Sequence, residues 1–276
     1  MNRSYLMVAG DKQKFLDKLP FLKCDVAMIN LEDGVFDKTY ARELLKTNFS
    51  KQLLKFNNLT TVVRINDLCS CGKDDIMVLN MLKPNAIRVP KVKTLDDVKL
   101  ALELIDEDIE VHLSIETKEA FENLSSLKLD KRVTTVYLGI LDLLESLGLP
   151  QSLLTLNNPT IEYILSEFLI KSKIAGFYCV SFTYQDYKNT KEFTLWGEKS
   201  KLMGYTAKSC ISPTQVDIVN EIFKLDTKEI EKALYIKEIF EKQQELGSSG
   251  FSDTKYGFID EPIYKDALLM LNLNKN

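Results

Sequence analysis

Five side chains stand where apolar runs give out. Glu32 and Asp33 close VAMINLED (26–33), Arg64 lies near the end of TTVVRIN (60–66), Glu116 closes EVHLSIE (110–116), and Asp142 follows TTVYLGI (134–140). Glu116 and Asp142 would end neighbouring strands, so their carboxylates would converge. Two such groups repel unless one takes a proton or a cation sits between them. Oxygen ligation by one or two carboxylates plus waters and substrate suits Mg²⁺; the alternative is a solvated pair without metal. Arg64 has the fork geometry to hold a substrate carboxylate, or it makes a structural ion pair with Glu32 or Asp33. His112 is the sole histidine, which excludes two-histidine chemistry within one chain. It shares a strand face with Ser114 and Glu116 but lies roughly 13 Å below Glu116 at about 3.3 Å per residue. That depth marks it as a hydrogen-bonded core residue.

These residues need a scaffold that gathers strand ends. Eight short apolar runs recur: 3–10, 26–32, 60–66, 86–92, 110–116, 134–140, 175–183 and 207–212. Most are continuous rather than alternating, the mark of strands buried on both faces in a parallel sheet. Helical patterns lie between them, at 39–56, 95–106, 160–173 and 189–204. Leu95, Val98, Ala101, Leu102 and Ile105 fall on one helical face, with Asp96 and Asp97 in the favourable first turn. The alternation predicts an α/β fold, a (β/α)8 TIM barrel over residues 1–225. A doubly wound open sheet is the runner-up, but no Gly-rich phosphate loop follows any strand. Residues 226–276 form a C-terminal helical extension: a helix at 227–246, a Gly/Ser-rich linker at 247–257, and a last helix at 261–273. Its apolar faces suit packing on a neighbouring subunit.

In this frame the polar strand ends form a series: Asp11, Glu32 and Asp33, Arg64 and Asn66, Lys91, Glu116, Asp142, Asp186, then Ser212. One charge after a strand ordinarily begins a solvated loop. A whole series describes the C-terminal rim of a barrel, where active sites lie. The net charge of −4 argues against a nucleic-acid binder driven by bulk electrostatics. No apolar stretch is long enough for a membrane span, and the N-terminus lacks the features of a signal peptide. Five cysteines without framework spacing fit reduced thiols in a cytoplasmic protein.

Eight segments occur in an order that resembles the citrate lyase β-subunit-like lyases of the HpcH/HpaI aldolase superfamily. They are RSYLMVAGDKQKFLDK, DVAMINLEDGV, VVRIND, VPKV, SIET, YLGILDLLESLGL, GYTAKSCISPTQV and GFIDEPIYKDAL. The resemblance spans Arg3 to Leu268. It implies a Mg²⁺-dependent barrel, a homotrimer or hexamer, that cleaves or forms a carbon–carbon bond by aldol or Claisen chemistry. The ligands it implies are a 2-oxo acid such as oxaloacetate, glyoxylate or pyruvate and, on the carrier side, an acyl-CoA. Carried over residue by residue, Glu116 and Asp142 match the metal ligands and Arg64 the arginine that holds the keto acid. Glu32 and Asp33 match acids that hold metal-bound waters or substrate. Arg3 and Lys12 lie where basic residues meet CoA phosphates, and Asp260 matches an acid delivered to the neighbour's active site. The pattern departs at Ala9, Lys118 (for proline), Leu141 (for an acid), Asn189 (for aspartate) and Ser212 (for histidine). Those departures keep a second reading open, a barrel that binds a ligand or partner without turnover.

Overall fold

The computed structural model describes residues 2–52 and 59–275. The chain forms two compact units, Arg3–Phe223 and the segment from Lys224 onward. The first is built on eight parallel strands: β1 (Ser4–Ala9), β2 (Val26–Asn30), β3 (Thr60–Arg64), β4 (Ala86–Val89), β5 (Glu110–Ile115), β6 (Val133–Leu138), β7 (Tyr178–Val180) and β8 (Lys208–Cys210). They pair in the order β7-β6-β5-β4-β3-β2-β1-β8. A parallel bridge between Ser181 and Lys208 joins the two ends. There Ser181 N–H donates to Ala207 O at 3.0 Å, and Ser209 N–H to Ser181 O at 3.1 Å. The nearly closed sheet, with helices around it, is the expected (β/α)8 barrel.

Strand parity explains the continuous apolar runs. Val26 and Met28 of β2 pack inside the barrel with Tyr5, Val62, Ala86 and Tyr137. Ala27 and Ile29 face the helices with Val63, Ile87 and Val89. Both faces are dry, so little polar residue is tolerated within a strand, and polarity collects at the ends. His112 behaves as a core residue: it is buried, its Nδ1 lies 2.9 Å from Tyr137 Oη, and its Nε2 lies 3.3 Å from Glu110. Burial lowers its pKa, against the pull of Glu110. The β5–β6 register shifts by one residue at Thr134, between Val111 and His112. Such an extra residue bends the strand locally and increases its twist.

Several boundaries differ from the sequence reading. The seventh and eighth strands stop at Val180 and Cys210, short of 183 and 212. The helix expected over 39–56 runs Lys38–Gln52, and its predicted last turn falls largely outside the described residues. Two of the departures are helix caps: Asn189 Oδ1 accepts from Glu192 N–H and Ser212 Oγ from Gln215 N–H. Lys118 uses a bond that proline lacks, its N–H donating to Ser146 Oγ at 2.9 Å.

In the second unit, the segment read as a flexible linker is a hairpin, β9 (Gly250–Asp253) and β10 (Gly257–Asp260), paired antiparallel. Its turn is organised by Asp253 Oδ1, which accepts from the N–H groups of Lys255 and Tyr256 at 2.8 Å. Gly257 follows at φ +76°. The hairpin joins the helices Thr227–Glu245 and Glu261–Lys275, and Ala233, Ile236, Phe240, Ile259 and Ala267 form a separate small core. No described helix is long and apolar enough to cross a membrane.

Candidate active site

The C-terminal ends of the strands surround a cavity of about 300 Å³ lined in part by Asp33, Arg64, Arg88, Glu116, Gly139 and Asp142. The strand-end pattern therefore brings together four of the expected site residues. Glu116 follows β5 and is 2% exposed. Its Oε1 accepts the Lys91 N–H at 2.7 Å, and the next residue's hydroxyl, Thr117 Oγ1, donates to Val92 O at 2.7 Å. These two bonds lock the β4 and β5 loops together. Lys91 adopts φ +52°, a left-handed conformation rare for a residue with a Cβ, and this turn presents its N–H to Glu116. Glu116 Oε2 accepts no hydrogen bond among the described residues. Gly139, just after β6, lies against it. A Cβ there would sit 2.6 Å from Glu116 Cβ and 2.8 Å from Oε2. Asp142 stands in the first turn of the helix Ile140–Ser146 and is exposed to the cavity side.

Arg64 ends β3 and is 8% exposed. Its Nη2 makes an ion pair with Glu32, and lies 3.7 Å from Asp33 and 3.8 Å from Glu116 Oε2. The loop after it is pinned by fully buried Asp75, which accepts from Asn66 N–H, from Asn66 Nδ2 and from Arg42. Glu32 is buried, and Lys91 Nζ approaches its Oε1 at 3.5 Å. Among the described residues neither Glu32 oxygen accepts a well-aligned hydrogen bond. Burial holds its carboxyl above the usual range; Arg64 opposes this, and the charges of Glu116 and Asp33 reinforce it. Burial pulls the Lys91 ammonium down, but Glu32 and Asp33 more than compensate and raise it. Asn30 shapes the β2 end, donating from Nδ2 to Asp33 O at 2.6 Å.

The other expected residues lie elsewhere. Arg3 precedes β1, at the opposite end of the strand from the mouth, with its Nε 3.4 Å from Asp25. Lys12 follows β1 on the mouth side, half-exposed and paired with Asp11 at 2.9 Å, but does not line the cavity. Asp260 ends β10 in the second unit, where its Oδ1 accepts the Ile263 N–H at 3.3 Å and caps the last helix.

Among the described residues no group of three or more His, Cys, Asp or Glu could hold a metal. The donor set at the mouth still fits Mg²⁺, which takes one or two carboxylates and retains waters. Glu116 Oε2 accepts no hydrogen bond among the described residues, glycine leaves the space beside it open, and Asp142 faces the same cavity.

Residues 3–213, more than half of the chain, match the model of the family described as HpcH/HpaI aldolase/citrate lyase. The chain belongs to the HpcH/HpaI aldolase/citrate lyase family. Its similarity to individual members is modest. A (3S)-malyl-CoA thioesterase of Cereibacter sphaeroides is 27% identical over 248 residues, covering 89% of this chain and 85% of that protein. The mitochondrial citramalyl-CoA lyase of Mus musculus is 27% identical over 297 residues, covering 98% and 85%. The structure of CitE from Mycobacterium tuberculosis with magnesium, acetoacetate and coenzyme A superposes with a TM-score of 0.76 at 18% identity, covering 100% of this chain and 98% of that one.

Arg88 was missed by the strand-end reading because it lies within β4. It is 4% exposed, its guanidinium stacks 4.2 Å above the Tyr137 ring, and its Nε donates to Ser114 Oγ at 2.8 Å. Parity was the available signal. Arg88 is in register with Arg64 and shares a strand face with inward-facing Ala86.

Proposed function

We propose that this chain is a Mg²⁺-dependent carbon–carbon lyase acting on a hydroxy-acyl-CoA or hydroxy keto acid, giving an enolate product and a 2-oxo acid. The carrying observation is that Arg64, Glu116 and Asp142, from the ends of β3, β5 and β6, border one cavity. Glu116 and Asp142 would hold the ion. The chemistry a bound Mg²⁺ supplies is Lewis-acid polarisation of the 2-oxo oxygen and orientation of its carboxylate.

The protein's own groups do the rest. Arg64 forks onto the carboxylate of the 2-oxo acid and stabilises charge that develops beside it; at 8% exposure, water screens it little. Glu32 holds the Arg64 guanidinium in place, and Asp33 at the rim contacts substrate or its waters. In cleavage the substrate hydroxyl passes its proton to a water held at the Asp33 rim and becomes the carbonyl of the 2-oxo acid. The carbon–carbon bond breaks, and its electron pair passes to the departing enolate. Asp260, reaching in from another copy of the chain and protonated, gives its proton to the enolate carbon, and takes one from that carbon in the reverse direction. That role fits a homotrimer or hexamer. Lys12, on the mouth side of β1, is the candidate contact for CoA phosphates; Arg3, at the other end of the strand, is left out of that role. Five free cysteines support a reducing compartment such as the cytoplasm.

Thermal melting tests the reading. A ligand at 100 times its Kd stabilises the native state by about 2.7 kcal/mol. Mg²⁺ should raise the Tm, and oxaloacetate or glyoxylate should raise it further. A shift with keto acid but none with acetyl-CoA would assign an aldolase that does not use CoA. No metal-dependent shift would leave the barrel as a ligand binder without turnover.

A further inference from the structure

The cavity contains a second guanidinium that the proposed reaction does not use. Arg88 is fixed on three sides, by the Tyr137 ring, Ser114 Oγ, and Met28 Sδ at 3.1 Å from Nη1. Sulfur is a weak acceptor. Arg88 makes no ion pair with a described carboxylate; the mouth acids Glu32, Asp33 and Glu116 all gather on Arg64 instead. Arginine cannot escape burial by losing its proton, as a lysine can. Burial and the neighbouring charge of Arg64 lower its pKa only to about 10. A buried, permanent cation with spare donors is strongly destabilising unless an anion meets it. This one borders the cavity, so the anion can arrive from there.

From this geometry we infer that Arg88 binds a second carboxylate of the substrate, so that the preferred 2-oxo acid is a dicarboxylate. The inference rests on the reading of the cavity as a 2-oxo-acid site and narrows it. Arg64 and Arg88 are directly paired in register on adjacent strands, which lie about 4.8 Å apart. A four-carbon diacid can present one carboxylate to each. Ser114 and Tyr137 hold the Arg88 plane fixed, so its free edge is preorganised for a bidentate contact.

The test is calorimetric titration of the full chain with Mg²⁺ present, using two matched pairs: pyruvate against oxaloacetate, and lactate against malate. The wild type should bind each diacid at least about tenfold more tightly than its monoacid. Arg88→Met should bring that ratio close to one and leave pyruvate affinity within about threefold. Arg88→Lys keeps the charge without the fork and should retain part of the preference, which guards against a methionine variant that fails to fold. Equal binding of monoacid and diacid by the wild type would overturn the inference and leave the 2-oxo-acid reading standing. A folded Arg88→Met that loses pyruvate and oxaloacetate alike would also overturn it. Binding of none of the four acids would refute the functional reading itself.

Discussion

Replacing Lys208 with methionine should change how the barrel's stability depends on pH. Lys208 opens β8 and is fully buried, with its Nζ 2.9 Å from Phe182 O and 3.9 Å from the Phe182 ring centroid. No carboxylate accompanies it among the described residues. Burial lowers its pKa from 10.5 to about 7, with the Cys210 thiol pulling slightly the other way. The folded state therefore binds fewer protons here than the unfolded state between pH 7 and 10.5. Stability must rise with pH across that window, and the burden is full below pH 7. At about 1.4 kcal/mol for each tenfold in proton affinity, the whole effect is about 5 kcal/mol, of which about 4 kcal/mol falls between about pH 6 and about pH 10. Methionine removes the titration and loses one hydrogen bond, a cost of about 1 kcal/mol. Lys208→Met should thus be the more stable protein at about pH 6 by about 4 kcal/mol and lose that advantage by about pH 10. Trp196 is the only tryptophan and packs edge-on against Phe182 at 5.1 Å, so urea unfolding followed by its fluorescence reports this region. Parallel pH profiles for the two proteins would refute the reasoning.

Four substitutions bear on the site. Glu116→Gln keeps an acceptor for the Lys91 N–H, and Asp142→Asn lies on an exposed turn; each should lower Mg²⁺ affinity by about tenfold or more without unfolding the barrel, as titration calorimetry and circular dichroism would show. Gly139→Ala must push Glu116 aside, because its Cβ falls 2.6 Å from Glu116 Cβ. It should lose metal affinity at an overpacking cost of about 1–3 kcal/mol, and wild-type affinity would show that the close approach is irrelevant. Asp260→Asn removes the acid and keeps a good helix cap, so turnover should fall about a hundredfold with the melting temperature nearly unchanged. Full turnover would remove Asp260 from the mechanism.

The barrel was legible in the sequence because two-sided burial excludes polar residues from strand bodies and pushes them to the ends. Glu116 and Arg64 were legible for that reason. Arg88 and Lys208 broke the rule. Both lie inside strands, as cations that an apolar run conceals, and only tertiary packing shows what surrounds them. The hairpin at 250–260 was hidden by its own turn chemistry. Glycines and serines there read as a linker, whereas Asp253 and Gly257 specify a turn and Ile259 is fully buried. The resemblance grouped Arg3 with Lys12 as contacts for CoA phosphates. A strand of six residues separates its ends by roughly 20 Å, which puts the two on opposite faces.

The most direct measurement is a crystal of the full chain grown with Mn²⁺ in place of Mg²⁺ and soaked with a 2-oxo acid, read by anomalous scattering. The expected result is one strong peak between the Glu116 and Asp142 carboxylates, with the acid bridging from the metal to Arg64. A cavity that stays without metal at saturating Mn²⁺, or a peak at some other set of side chains, would contradict it.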